Sequence, residues 1–283
     1  MLTRTFCHLP GIGAKTEQRL WTGGARRWPD LARLGPDLLG PSRLAQAAVL
    51  MEESAERLQA RDAEFFAAKL PSSESWRLLS HFHDSAAYVD IETTGRGRGM
   101  DHITAIALYD GQSVRTYVHG RDLEAFEDDI RDYKLLVTFN GASFDVPILE
   151  RELRIRLPRA HIDLRHALAS IGMRGGLKRV EKAVGLDRCE MDGLDGYFAV
   201  ILWNEYENTG NPAALETLLA YNAADVLSLE TLARHLFRAK VAQTPFADEL
   251  VLPEPTGAAN PHTPDTDLVR RLMARYPRYR ASA

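Results

Sequence analysis

Cysteine is scarce in this sequence. The 283 residues contain only two, Cys7 and Cys189, which lie far apart and are not flanked by other residues at metal-ligand spacing. A disulfide framework needs more cysteines than this, and a structural zinc site needs them in closely spaced pairs. We therefore expect a cytoplasmic chain with two free thiols.

Long apolar segments are also absent. No stretch approaches the roughly 20 residues that a membrane-spanning helix requires, and residues 1–8 lack the apolar core of a secretory leader. We expect no membrane partner. The hydrophobic fraction of 45% is nevertheless that of an ordinary globular protein. A chain of this length fits one main domain with a smaller one beside it.

A strong net charge of either sign is missing too. The formal charge is −4, which the four candidate site acids described below would account for and which bound divalent cations would neutralise. Two regions are locally basic: residues 1–35 hold six Lys and Arg against two acids, and residues 150–182 hold nine against four. We place Lys178, Arg179 and Lys182 on the outer face of a short helix, as phosphate contacts or simply as a solvated surface.

The first candidate site is a strand that ends in two acids. Residues 86–89 are small, aromatic or β-branched and lead directly into Asp90, Ile91 and Glu92. Side chains two apart on a strand share a face, so Asp90 and Glu92 point the same way. Two carboxylates about 6–7 Å apart repel each other unless a cation lies between them, and oxygen ligands suit Mg²⁺ or Mn²⁺. The alternative is a solvated strand end with two surface acids.

The second candidate site is a turn between a strand and a helix. Residues 134–139, which are apolar at Leu135, Leu136, Val137 and Phe139, predict a strand that ends at the turn pair Asn140-Gly141. Asp145 then stands at the start of a predicted helix, where open α/β sheets bind their ligands. An acid in the first turn of a helix also complements the helix dipole, and this is the alternative role for Asp145.

The third candidate site lies on a long helix. Asn211 and Pro212 are typical of an N-cap and a first helical position, and apolar residues then recur at helical spacing to about residue 236. Tyr221 and Asp225 are four apart and therefore lie on one face, at the edge of the apolar stripe. Such a position suits groups that face a cleft, although this pair also occurs by chance in many helices.

Together these segments resemble a known family. Asp90-Ile-Glu-Thr-Thr-Gly, Asn140-Gly-x-x-Phe-Asp-x-Pro and Tyr221-Asn-x-x-Asp-Val stand in the order found in the ribonuclease H-like 3′→5′ exonucleases with four invariant acids, the DEDD nucleases. They are similar to the tyrosine-containing (DEDDy) subgroup, and within it to the bacterial YprB-like ribonuclease H-like domains. The resemblance covers roughly residues 84–238.

The resemblance implies a set of site residues. It implies catalytic roles for one tyrosine, which orients the attacking water, and for four acids that hold two divalent cations, Mg²⁺ or Mn²⁺. These residues are Tyr221, Asp90, Glu92, Asp145 and Asp225. It further implies that Asp90 bridges both ions, with Glu92 and Asp225 on one and Asp145 on the other. Candidate contacts to the terminal nucleotide are Thr93, Thr94, Asn140 and Phe144.

A glycine-containing turn near the N-terminus is a second candidate contact. The string Leu9-Pro-Gly-Ile-Gly-Ala-Lys-Thr resembles the hairpin of a helix-hairpin-helix motif, in which backbone amides hold a phosphate. We expect Gly11, Gly13, Lys15 and Thr16 to contact a nucleic-acid backbone. An ordinary helix–turn–helix corner is the alternative. The string does not match a nucleotide-binding P-loop, because its spacing differs and no strand precedes it.

The predicted fold is α/β. Strands at 86–91, 102–109, 113–118, 134–139 and 160–163, with helices at 122–132 and 144–153 and further helices to 238, predict a ribonuclease H-like mixed sheet flanked by helices. We expect a helix-hairpin-helix-like region at 1–40, a helical linker at 41–83, the exonuclease domain at 84–240 and a flexible Pro-rich tail at 241–283 with a short basic helix near its end.

Three functions fit these observations. The first is a metal-dependent 3′→5′ exonuclease that acts on single-stranded nucleic-acid ends, with DNA favoured because of the N-terminal turn. The second has the same chemistry but acts on RNA. The third is a catalytically silent module that binds nucleic-acid ends, which the presence of all four acids and Tyr221 argues against. The sequence does not point to a particular protein partner for this chain.

Overall fold

The computed structural model describes residues 1–95, 97, 100–186 and 196–276. Five strands form one sheet: β1 (Ala86–Thr93), β2 (Ile103–Tyr109), β3 (Val114–Val118), β4 (Leu135–Thr138) and β5 (His161–Asp163). Their order across the sheet is β3-β2-β1-β4-β5. β1 runs antiparallel to β2 and parallel to β4, so the sheet is mixed, as predicted from the sequence.

Helices cover both faces of the sheet. The helices N-terminal to the sheet are α1 (Ala14–Thr22), α2 (Trp28–Leu38), α3 (Pro41–Gln59), α4 (Ala63–Lys69) and α5 (Leu79–Phe82). Those within and after it are α6 (Ala125–Ile130), α7 (Asp145–Leu153), α8 (Leu164–Ala169), α9 (Leu177–Ala183), α10 (Gly196–Thr209), α11 (Pro212–Val241) and α12 (Thr266–Arg275). Short 3₁₀ turns lie at Leu2–Arg4, Ser72–Leu78 and His83–Ser85.

The alternation of side chains along β1 sets which face carries the acids. Val89 and Ile91 belong to a core cluster with α6 and α7, through residues such as Phe126 and Leu149. Tyr88 belongs to another cluster, which contains apolar residues from the second half of α11, such as Val226 and Leu229. Because neighbouring residues of a strand point to opposite faces, Asp90 and Glu92 point toward α11. The register of β1 against β2 shifts between Glu92 and Thr93, just where the strand ends.

The N-terminal helices share a core with the sheet. Leu20, Trp28 and Phe66 are buried in the same cluster as Tyr88 of β1. A buried ion pair joins the two parts, since Arg77 donates to Glu17 over 2.7 Å with both side chains at most 4% exposed. Glu17 also accepts hydrogen bonds from Thr5 and the backbone of Phe6. Residues 1–82 therefore pack on the sheet; the boundaries given for the expected domains remain predictions.

The segment expected to be a flexible tail packs against the domain along the part that the structure describes. Phe246 is fully buried against Trp21. The amide of Asn260 donates to a carbonyl of α11, and Asp265 caps α12. The apolar side of α12 is buried with α10 and α11 through Leu268 and Leu272. Residues 246–276 pack on the domain because their apolar side chains, at helical spacing in α12, are buried against other helices. The Pro-rich composition of this segment does not predict such packing.

Candidate metal centre

Three acids from two elements meet at the end of β1. Asp90 and Glu92 come from the strand, and Asp225 comes from the middle of α11. Each offers one carboxylate oxygen, and these oxygens lie within 4.8 Å of one another. Ligands of a Mg²⁺ ion at about 2.1 Å are separated by about 3 to 4.2 Å in an octahedral shell. Small side-chain movements would therefore bring this set, here called the acid trio, to coordination distance.

The fourth predicted acid lies beside the trio. Asp145 is the first residue of α7 and is buried. Its Oδ1 accepts a hydrogen bond of 3.1 Å from the backbone N–H of Ile91, between the two acids of β1. Asp145 lines the same cleft as the acid trio, but it is not one of the three whose oxygens cluster. That all four acids form one metal site remains a prediction.

The electrostatics of the site favour a bound cation. Burial raises the pKa of Asp90 well above its usual range, and Asp225, Asp145 and Glu92 raise it further by repulsion. Burial also raises the pKa of Asp145 to about 7, against the opposing effect of the Ile91 N–H. Carboxylates that are costly to ionise together, and that offer only oxygen ligands, match the requirements of a hard divalent cation such as Mg²⁺ or Mn²⁺. The residues present therefore fit such an ion.

Helix α11 supplies a second buried polar pair next to the trio. Tyr221 and Asn222 are both buried, one turn before Asp225. The amide nitrogen of Asn222 donates to Asp90, at 2.8 Å to Oδ2 and 3.2 Å to the backbone oxygen. The motif Tyr-Asn-x-x-Asp contained this residue, but nothing in its spacing distinguished Asn222 from the other residues of the apolar stripe.

Lys178 occupies a different place from the one predicted. Instead of decorating the outer face of its helix, Lys178 of α9 reaches into the cleft and donates to Oδ1 of Asp225 at 2.8 Å. Its ammonium group also lies 4.3 Å from the centre of the Tyr221 ring. Arg179 lines the same cleft. The prediction that Lys178 lies on the solvent-facing side of α9 was wrong, because the side of α9 that carries Lys178 packs against α11. On that side, Ser228 of α11 donates to the buried Glu181 of α9.

The acids open into a cleft of about 720 Å³. The predicted substrate contacts Thr93, Asn140 and Phe144 line it, whereas Thr94 does not belong to its described lining. Thr94 instead exchanges hydrogen bonds with the backbone of His102, where the chain enters β2. Phe144 is 39% exposed and Tyr197, which also lines the cleft, is 46% exposed. Two accessible aromatic rings beside a group of acids are surfaces on which bases can stack.

The turn that carries Asn140 is held by Asp163, at the end of β5. Oδ1 of Asp163 accepts the Asn140 N–H at 2.8 Å, and Oδ2 accepts the Ala142 N–H at 3.2 Å. Asn140 itself adopts a left-handed conformation with φ of 69°. The next position requires glycine, because a Cβ on residue 141 would lie 2.2 Å from the Thr138 hydroxyl oxygen. Asp163 is therefore a structural support for the cleft wall, in keeping with the prediction that it is not a ligand.

The predicted N-terminal contact lies outside this cleft. Gly11 has φ of 73°, and Gly13 is the N-cap of α1. Both line a separate surface cavity of about 610 Å³, and Lys15 is exposed on the first turn of the helix. A short 3₁₀ turn, not an α-helix, precedes this loop among the described residues. Its role in binding remains a prediction.

None of the helices in the described parts of the chain is both long enough and apolar enough to cross a membrane. Cys7 is buried as a free thiol, while Cys189 lies outside the described residues.

Comparison with known proteins gives three findings. A model of the RNase H superfamily matches residues 87–237. The uncharacterized protein YprB of Bacillus subtilis (strain 168) is 29% identical over 171 residues, which cover 53% of this chain and 41% of YprB. The solved structure of the family B DNA polymerase from the hyperthermophilic archaeon Pyrobaculum calidifontis is 22% identical with a TM-score of 0.46, and covers 58% of this chain and 26% of the polymerase chain.

The matched region contains the acid trio, Asp145 and Tyr221. It also contains every residue of the sheet except Ala86. It therefore includes every element that builds the candidate metal centre. The five-stranded mixed sheet flanked by helices is the ribonuclease H-like architecture expected from the sequence. This chain belongs to the RNase H superfamily.

Proposed function

We propose that this chain is a metal-dependent 3′→5′ exonuclease of the DEDDy type that hydrolyses phosphodiester bonds at single-stranded nucleic-acid ends, with DNA favoured over RNA. The observation that carries the proposal is the acid trio of Asp90, Glu92 and Asp225, with Asp145 and Tyr221 in the same cleft. A solvated strand end would leave Asp90 and Glu92 exposed, whereas Glu92 is buried and Asp90 is half-buried.

The proposed cofactors are two divalent cations, Mg²⁺ or Mn²⁺. Asp90, Glu92 and Asp225 would hold one, and Asp145 with Asp90 would support the second. Bound there, such ions lower the pKa of water and stabilise the charge that develops on the leaving oxygen. Phosphodiester hydrolysis needs this help, because a general base alone contributes only about 10²–10⁴-fold.

The remaining cleft residues would handle the substrate. The Tyr221 hydroxyl would orient the attacking water, and Phe144 and Tyr197 would stack on the bases of a single strand. Thr93 and Asn140 would contact the terminal nucleotide. Lys178 would bring positive charge to the wall of a site that must accept a phosphate. A cleft with exposed aromatic walls suits unpaired bases better than a stacked duplex.

The N-terminal turn would add a second, weaker contact with the phosphate backbone of the nucleic acid. Gly11, Gly13 and Lys15 are exposed, and Thr16 is half-buried at the start of α1. Backbone amides at a helix N-terminus bind phosphate without reading the base sequence. This turn is the reason for favouring DNA, and the proposed location remains the cytoplasm.

The experiment that tests the proposal reads direction and substrate together. Single-stranded DNA and RNA of one sequence, each labelled at the 5′ or at the 3′ end, are incubated with Mn²⁺, Mg²⁺ or EDTA. The proposal predicts a ladder from the 5′-labelled DNA, release of a mononucleotide from the 3′-labelled DNA, and no reaction in EDTA. Faster cleavage of RNA would identify an exoribonuclease. Binding of the DNA and the RNA without cleavage of either would instead identify the chain as a module that binds nucleic-acid ends.

A further inference from the structure

Asn222 is a buried amide in an otherwise apolar part of α11. Its side chain is 0% exposed, and its neighbours Ala223 and Val226 belong to the buried core. Burying an amide costs free energy unless its polar atoms find partners. A leucine, whose side chain has the same branching and the same number of heavy atoms, carries no polar group and would avoid that cost. The presence of Asn222 therefore needs an explanation other than packing.

The partners of Asn222 point to one residue. Its nitrogen donates to Oδ2 of Asp90 at 2.8 Å and to the backbone oxygen of the same residue at 3.2 Å. Its own oxygen is buried and makes no hydrogen bond within the described part of the chain. A buried acceptor without a partner costs about 1–3 kcal/mol. The amide is thus only half satisfied, and the satisfied half is directed wholly at Asp90.

This contact fixes the orientation of the Asp90 carboxylate. A strand side chain can rotate about two torsions, but a donor that binds both the carboxylate and the backbone oxygen of one residue restricts that rotation. The amide is also neutral, so it positions the carboxylate without neutralising its charge. Lys178 differs in this respect, because its ammonium group compensates the charge of Asp225. Asp90 is therefore oriented by a group that carries no charge of its own.

We propose that Asn222 is a positioning residue that orients Asp90 for binding a divalent cation. The inference rests on the proposed function, since it assumes that the acid trio binds metal. Partners that orient a metal ligand typically contribute a factor of roughly 10–100 in metal affinity. A residue that only ties α11 to β1 would contribute to the stability of the fold and leave that affinity unchanged.

The test compares Asn222→Leu with a matched control, Thr217→Val. Thr217 is also fully buried on α11, but its hydroxyl accepts from the backbone of Asp265 and does not touch the acids. Free Mn²⁺ is measured by its paramagnetic resonance signal during titration of each full-length protein, and the thermal midpoint is measured in EDTA. We expect Asn222→Leu to bind Mn²⁺ roughly 10–100-fold more weakly, while Thr217→Val binds it like the wild type. The midpoint in EDTA establishes that each variant is folded at the temperature of the titration.

The outcomes separate this inference from the proposed function. Equal Mn²⁺ affinity of Asn222→Leu and wild type would overturn the positioning role, even if cleavage were lost. A wild type that binds no Mn²⁺ would overturn the metal centre itself and the positioning role with it. If Asn222→Leu does not fold, Asn222→Ser replaces it, because the serine hydroxyl is too short to reach Asp90. Wild-type affinity in that variant would equally refute the inference.

Discussion

The ammonium group of Lys178 lies 2.8 Å from Oδ1 of Asp225 and 4.3 Å from the centre of the Tyr221 ring. One cation thus contacts an acid of the trio and the predicted catalytic tyrosine at once. In the absence of metal, this contact compensates part of the repulsion among the carboxylates.

Replacing Lys178 with methionine should destabilise the metal-free protein. Asp225 would then lie buried among other carboxylates with less compensating charge, so we expect the thermal midpoint in EDTA to fall by a few degrees, as for a loss of about 1 kcal/mol. Mn²⁺ should raise the midpoint of this variant more than that of the wild type. Lys15→Met removes the same charge from an exposed position on the first turn of α1. Equal midpoints for the two variants would contradict the role given to Lys178.

The raised pKa of Asp145, about 7, predicts a pH-dependent stability. An aspartate in the unfolded chain has a pKa near 3.9, so between about pH 4 and pH 7 the folded protein holds the extra proton. The free energy of unfolding in EDTA should therefore fall as the pH rises through this window, and level off above it. The affinity for Mn²⁺ should rise over the same range, because the ion competes with the proton.

Asp145→Asn isolates this contribution. The asparagine cannot titrate, so the difference in unfolding free energy between variant and wild type should change across pH 4 to 7. Urea unfolding at several pH values in EDTA gives this difference directly. A difference that stays constant with pH would show that Asp145 does not hold a raised pKa.

The Glu17–Arg77 pair should be important for the stability of the N-terminal region. Both side chains are at most 4% exposed, and Arg77 also binds Glu74. Breaking a buried pair by removing one charge typically costs about 3–5 kcal/mol, whereas an exposed pair contributes at most about 1 kcal/mol. We expect Glu17→Gln to lose several kcal/mol in urea unfolding. Asp267→Asn, which breaks the exposed pair with Arg270, is the control, and a similar small loss in both would refute this assignment.

The N-terminal turn should contribute one phosphate contact through Lys15. Lys15→Glu should weaken binding of single-stranded DNA and reduce the slope of log affinity against log salt by about 1, because one fewer counterion is released. Cleavage of a dinucleotide, too short to reach the turn, should not change. Arg270→Glu makes the same charge reversal on α12, where the side chain is 73% exposed. An unchanged salt slope for Lys15→Glu would exclude the turn from the binding surface.

The sequence predicted those parts of the site that follow from local periodicity. The alternation along β1 placed Asp90 and Glu92 on one face, and the four-residue spacing placed Tyr221 beside Asp225. It did not predict Lys178, because a seven-residue helix has too few apolar positions to define which side packs against a neighbour. Asn222 was missed for a related reason, since its role depends on a strand 132 residues earlier.

The C-terminal segment shows the same limit. A short basic helix near residues 270–275 was predicted, and α12 occupies Thr266–Arg275. This helix packs against α10 and α11. A contact between segments that are distant in the sequence cannot be predicted from the local composition of either one. The expectation of a flexible tail followed from the proline-rich stretch that precedes this helix.

The most direct test of the account is the rate of nucleotide release from single-stranded DNA as a function of Mn²⁺ concentration, for wild type, Asp90→Asn and Asp267→Asn. Asp90→Asn preserves the volume of a side chain in the acid trio, and Asp267→Asn makes the same change on exposed α12. The account predicts Mn²⁺-dependent release in wild type and Asp267→Asn, and a loss of about 10²–10³-fold or more in Asp90→Asn. Release that is independent of Mn²⁺, or equal in all three proteins, would contradict it.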